Sequence, residues 1–152
     1  MAALKDRLRA DLTTAMKARD EVRVRTLRMA LTSVTNEEVA GTSARELSDD
    51  EVTAVLTREA KRRREAAEAF ADAGREEQAA AERAEGDVLA VYLPAQLSDD
   101  ELAALVSAAI DETGATGMKG MGQVMKVLTP RVAGRADGGR VAAEVRRRLS
   151  PG

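Results

Sequence analysis

"SDDEVTAVLTREAKRRREAAEAFADAG", residues 48–74, decides the fold class. It opens on a capping box. The Ser48 hydroxyl can accept from the Glu51 amide while the Glu51 carboxylate reaches back to the Ser48 amide. Ala, Arg and Glu dominate residues 52–73, so helix propensity is high throughout. Gly74 then supplies a residue that can turn left-handed and end the helix. Inside the stretch, "KRRR" at 61–64 has acids four residues away: Glu59–Arg63, Lys61–Glu65 and Arg64–Glu68. This spacing predicts a neutralised, solvated helix face.

The same grammar extends in both directions. Leu4, Leu8, Leu12 and Met16 step by four along a helix over roughly 3–18. Val24, Leu27, Leu31 and Val34 mark a second over roughly 20–40, with Asp20 as its N-cap. Gly41 to Leu47 reads as a loop. A fourth helix is predicted over about 75–92, weakened at Gly86 and stopped by Pro94, because the residue before proline avoids the α region. Ser98-Asp99-Asp100-Glu101 is a second capping box. It starts a helix with Leu102, Leu105, Val106, Ala109 and Ile110 on one face and an end near Gly114. "LSDDEV" at 47–52 and "LSDDEL" at 97–102 look like a duplication, but the residues after them do not align. Alternating β-branched runs are absent. The prediction is all-α: a four-helix N-terminal domain, 1–94, and a small three-helix C-terminal domain, 95–152. The boundary falls in the proline-marked break between Leu93 and Leu97, with Tyr92 expected to pack between the domains.

Composition narrows the chemistry. The chain has no cysteine and no histidine. Disulfides, thiol nucleophiles, Cys/His zinc sites and Ser-His-Asp machinery are therefore excluded. Phe70 and Tyr92 are the only aromatics, so stacking platforms for bases are nearly unavailable. The first twelve residues mix acids with bases, unlike a signal peptide. No stretch approaches a membrane span. No cofactor is expected, and a cytoplasmic location is.

Charge is unevenly spread. Residues 1–115 hold 16 Lys/Arg and 24 Asp/Glu, whereas residues 116–152 hold 8 and 2. A basic end on an acidic chain points to a polyanionic partner. At its start lies "TGMKGMGQVMKVL", 116–128. The glycine spacing fits neither a P-loop nor a dinucleotide fingerprint, and no strand precedes it. On a helical wheel Met118, Met121, Met125 and Leu128 form an inward stripe, with Lys119 and Lys126 on the opposite side. Gly120 and Gly122 weaken this helix, so it either relies on packing or begins after Gly120. In the second case its free amides face solvent and suit a phosphate. Pro130 ends or kinks it. Asp137 caps a last helix, roughly 138–149, with Val141, Val145 and Leu149 inward and Arg140 and Arg147 outward. Lys119, Lys126, Arg131, Arg135, Arg140 and Arg147 are the candidate basic surface. The acidic pairs Asp49/Asp50 and Asp99/Asp100 sit in first turns of helices, where the macrodipole favours them.

Four segments then carry a family resemblance: "MKARDEVRVRTLRMAL" (16–31), "AKRRREAAEAFADAGR" (60–75), "VYLPAQLSDDEL" (91–102) and "GMGQVMKVLTPRVAGRADGGRVAAEVRRRL" (120–149). Their order over nearly the whole chain resembles the YqeY-like proteins, which share a GatB/YqeY domain. The resemblance implies an all-helical tail of the kind that ends the B subunit of the Asp/Glu-tRNA amidotransferase, where it contacts tRNA. That enzyme's ATP-dependent cradle domain and its glutaminase subunit have no counterpart here. The carbon–nitrogen ligase label that stand-alone members inherit, with glutamine as amido-N-donor, has no catalytic residues to support it. One position departs: Gly120 stands where family members usually carry an acid.

The expectation is a non-catalytic, tRNA-interacting helical protein, its C-terminal cations on backbone phosphates and base readout poor. The alternatives are an adaptor that docks a translation enzyme through the acidic helices, and an accessory part of a glutamine-dependent tRNA amidotransferase. No metal and no membrane partner is expected.

Overall fold

Apolar residues at three- and four-residue steps make each helix of the chain one-sided, and burying those sides gives two separate cores. A computed structural model describes residues 3–151. Among them are seven α-helices, one short 3-10 turn and no strand, so the protein is all-α. Two compact units divide the chain, Met1–Leu93 and Pro94–Gly152.

The first unit contains α1 (Ala3–Ala18), α2 (Glu21–Glu38), α3 (Asp49–Asp72) and α4 (Glu76–Ala90). Helix α3 begins at the Ser48 capping box, both halves of which are formed. Asp20 caps α2 by accepting from the Arg23 amide at 3.2 Å. Gly74 takes the left-handed conformation just past the end of α3, φ 76°. Gly86 does not break α4, which runs on to Ala90. The core is built from Leu8, Leu27, Val34, Leu47, Val52, Leu56 and Leu89. Each fully buried leucine contributes about 1.5–3 kcal/mol of transfer free energy.

Tyr92 is the residue expected to pack between the domains. It is buried in the first unit's own core. Its hydroxyl donates to the Asp11 carboxylate, and the Arg7 guanidinium lies 4.7 Å from the ring centroid. Burial, then the hydrogen bond the phenol donates to the Asp11 carboxylate, pushes the phenol from 10.0 up to about 12.

In "KRRR" Lys61, Arg62 and Arg64 are exposed as expected and Lys61 pairs with Glu65 at 4.0 Å, but Arg63 is a correction. Arg63 is 9% exposed, not solvated. It donates to Glu82 at 3.1 Å and to Glu85, both on α4, rather than to Glu59. Glu59 instead accepts from Arg62. Glu85 is itself buried and also accepts from Arg25 Nε at 2.8 Å. This network ties α2, α3 and α4 together. A second, partly buried pair, Lys5 to Glu38 at 2.7 Å, joins α1 to α2. Helical spacing along one chain segment cannot reveal pairs made between helices.

The second unit contains α5 (Asp99–Thr113), the 3-10 turn Met118–Gly120, α6 (Met121–Val132) and α7 (Gly138–Leu149). The Ser98 capping box is complete, and Gly114 closes α5 in the left-handed region at φ 68°. Asp137 caps α7 by accepting from the Gly139 amide at 3.4 Å. Leu102, Val106, Ala109, Val124, Leu128, Val132, Val141, Val145 and Leu149 form a wholly apolar core. Pro130 lies inside α6, which runs two residues past it.

Candidate nucleic-acid interface

Helix α6 begins late, at Met121, matching the second of the two sequence alternatives. The reason is steric as well as entropic. A Cβ on Gly120 would sit 2.5 Å from the Ala115 Cβ, so the loop after α5 folds directly over this residue. Any side chain here would need that loop to move. The preceding residues close a 3-10 turn, with the Gly120 amide on the Gly117 carbonyl at 2.9 Å.

That turn rotates Met118 out of the expected stripe. Met118 is 44% exposed, while Met121 and Met125 are partly buried and Val124 takes the centre of the core face. A 3-10 residue turns about 120°, not 100°, so a single α-helical wheel through 116–128 misplaces its first members. No side chain caps the N-terminus of α6.

Of the six candidate cations three are engaged by acids, two are free and Arg135 stands apart. Arg131 is engaged by Glu112 of α5 at 2.7 Å. Arg140 donates to the Leu97 carbonyl at 2.8 Å and to Asp99 at 2.7 Å, pinning the start of α7 to the start of α5. Arg147 grips both Glu144 oxygens, at 3.0 and 2.7 Å. This fork lowers the Glu144 carboxyl below its usual range and raises the Arg147 guanidinium further. By contrast, Lys119 and Lys126 are exposed and form no ion pair among the described residues. Arg135 is half-buried. Its charge is the smallest of the influences that lower the Glu101 carboxyl, after the Ser98 amide and hydroxyl.

The acids that hold these arginines change the charge reckoning. Taken alone, residues 116–152 carry 8 Lys/Arg against 2 Asp/Glu. Folded with α5, residues 94–152 carry 8 against 7, so the unit is almost neutral and its positive charge is local. Two further arginines lie near the C-terminal end of α7, one unpaired and one paired. Arg146 is exposed and has no ion pair among the described residues. Arg148, which donates to Glu144 at 3.1 Å, lines with Lys119 an open groove of ≈ 780 Å³. Thr113, Thr116, Gln123 and Ser150 add hydroxyl and amide groups to that groove. The triple arginine 146–148 is visible in the sequence. The seven-residue step from Arg140 singles out Arg147 alone and leaves out its two neighbours.

No group of three or more carboxylates is placed to hold a metal ion among the described residues. None of the described helices is long and apolar enough to cross a membrane. What the molecule offers instead is an all-helical scaffold with unpaired Lys119 beside an open groove and unpaired Lys126 and Arg146 exposed elsewhere on the same unit. The chain belongs to the YqeY-like proteins, whose family model matches residues 5–149. No curated protein matches it.

Proposed function

We propose that this YqeY-like chain is a non-catalytic RNA-contacting protein that takes tRNA on its C-terminal unit and so works in the cytoplasm. One observation carries the reading: Lys119 and Lys126 are exposed and unpaired, whereas neighbouring arginines are engaged by acids. An ion pair must be given up before its arginine can meet a phosphate. A free lysine has no such cost, so the lysines lead, joined by unpaired Arg146, while Arg148 must first give up Glu144. Arg131, Arg140 and Arg147 serve the fold first. Binding of this kind rests on counterion release and reads little sequence. Residues 1–94 and 95–152 act as separate domains in this picture, a reading supported by the apolar core each possesses.

The test is a titration of tRNA at several salt concentrations. Lys119→Glu/Lys126→Glu should weaken binding and flatten the log–log salt slope by about one unit per lysine removed. Arg131→Glu should change it less. Absence of binding at low salt, or indifference to the double lysine change, sinks the proposal.

A further inference from the structure

Four described residues have left-handed backbone angles, and three of them are glycines: Gly74, Gly114 and Gly134. The fourth is Arg19, at φ 55°, in the corner between α1 and α2. Glycine is the residue this position favours, because a Cβ is strained there. Nothing in the fold offsets the choice of arginine. Arg19 forms no ion pair among the described residues, and its amide donation to Met16 at 3.2 Å would survive in glycine.

The Arg19 side chain instead lines an open groove of ≈ 600 Å³ with Glu21, Val24, Arg25, Arg28 and Met29. Arg28 also lacks an acid partner among the described residues; its guanidinium reaches only the Met16 sulfur, at 3.9 Å. Arg25 is fixed by buried Glu85. Two uncommitted guanidinium groups stand at this groove, with an apolar wall of Val24 and Met29. A single carboxylate, Glu21, shares it. The volume lies within the range of small-ligand sites.

Guanidinium forks match phosphate oxygens in pairs. A wholly acidic peptide would meet repulsion from Glu21, and a bare anion would leave the apolar wall unused. A nucleotide satisfies all three features: phosphates for Arg19 and Arg28, sugar hydroxyls that donate to Glu21, and a base against Val24 and Met29. We propose that the α1–α2 corner groove binds an organic phosphate of nucleotide size, with Arg19 retained for that contact at the expense of backbone strain. The groove lies on the other unit and uses other cations, so its occupancy is independent of the tRNA reading.

The same chemistry is supplied by a free nucleotide or by the 5′-phosphorylated end of an RNA. Calorimetric titration of the full chain with ADP and with a 5′-phosphorylated RNA pentamer separates those sources; inorganic pyrophosphate is the control. The expected result is saturable binding of one or both, weakened at least tenfold in Arg19→Gly and in Arg28→Gln but unchanged in Lys119→Glu/Lys126→Glu. Arg19→Gly should melt at the same temperature as the wild type or higher, which a merely structural arginine would not allow. The proposal is overturned if neither ligand binds at millimolar concentration, or if binding ignores Arg19→Gly. Pyrophosphate binding as tightly as either organic ligand overturns it too, and so does a lowered melting temperature for Arg19→Gly.

Discussion

The two units solve the same packing problem with opposite uses of charge. Among the described residues, every buried polar or charged one, namely Lys5, Thr26, Arg63 and Glu85, lies in the N-terminal unit. The C-terminal core is apolar throughout, and its ion pairs, such as Arg131–Glu112 and Arg140–Asp99, stay at the surface. The lesson is one of magnitude. A buried pair is not a large source of net stability, but removing one member leaves a desolvated charge behind. A surface pair adds up to about 1 kcal/mol and can be given up to a ligand. Both units carry surface pairs that a partner could draw on, but only the N-terminal unit also holds charges that are costly to unpair.

The sharpest way to break this comparison is to delete one acid from each unit. Glu85→Ala should cost more than about 1 kcal/mol and up to about 3–5 kcal/mol in urea unfolding, since Arg63 loses its buried partner and keeps only Glu82. Glu112→Ala should cost less than about 1 kcal/mol, because its carboxylate is half exposed. Equal losses would dissolve the distinction between the units.

A smaller effect separates two glycines two residues apart. Gly120→Asp should destabilise by about 1–3 kcal/mol, because the new Cβ meets Ala115. Gly122→Ala meets nothing within 4 Å and lies in α6, so it should raise stability by up to about 1 kcal/mol. Thermal melts of both variants check the pair. Gly120→Asp melting with the wild type would mean that the 115–120 loop yields freely.

The gentlest probe is pH. Glu51 is lowered from 4.5 to about 2, first by Arg45 and then by the Ser48 amide. Its contribution is present above pH 4.5 and is lost as pH falls toward 2. Glu101 and Glu144 are lowered too, so the C-terminal unit shares this acid loss. Tyr92 runs the other way. Its phenol is raised from 10.0 to about 12, so its contribution is intact below pH 10 and is lost as pH rises toward 12. The N-terminal unit should weaken at both ends of the scale and the C-terminal unit only at the acid end. Methyl NMR signals of Val52 and Val145 report the two units separately. Val145 fading first in alkali would contradict the assignment.

Where the sequence is legible, the signal is local. Ser48 and Ser98 announce their helices because a capping box is made within four residues. Val141, Val145 and Leu149 face inward as their spacing requires. Arg63 defeats the same kind of reading because its partners lie on α4, about twenty residues away in the chain. Met118 defeats it because a turn of different pitch precedes α6. Of the candidate site, the types of residue are legible, but which cations remain free depends on where α5 carries Asp99 and Glu112.

The sequence by itself therefore determined the all-helical class, the helix starts and most of the inward stripes. These come from periodicity, capping and backbone preference, which act within one or two turns. Only the tertiary structure decided which charges are buried, which are paired and which are left for a ligand. Those outcomes depend on distances between helices, and charge is felt through space rather than along the chain.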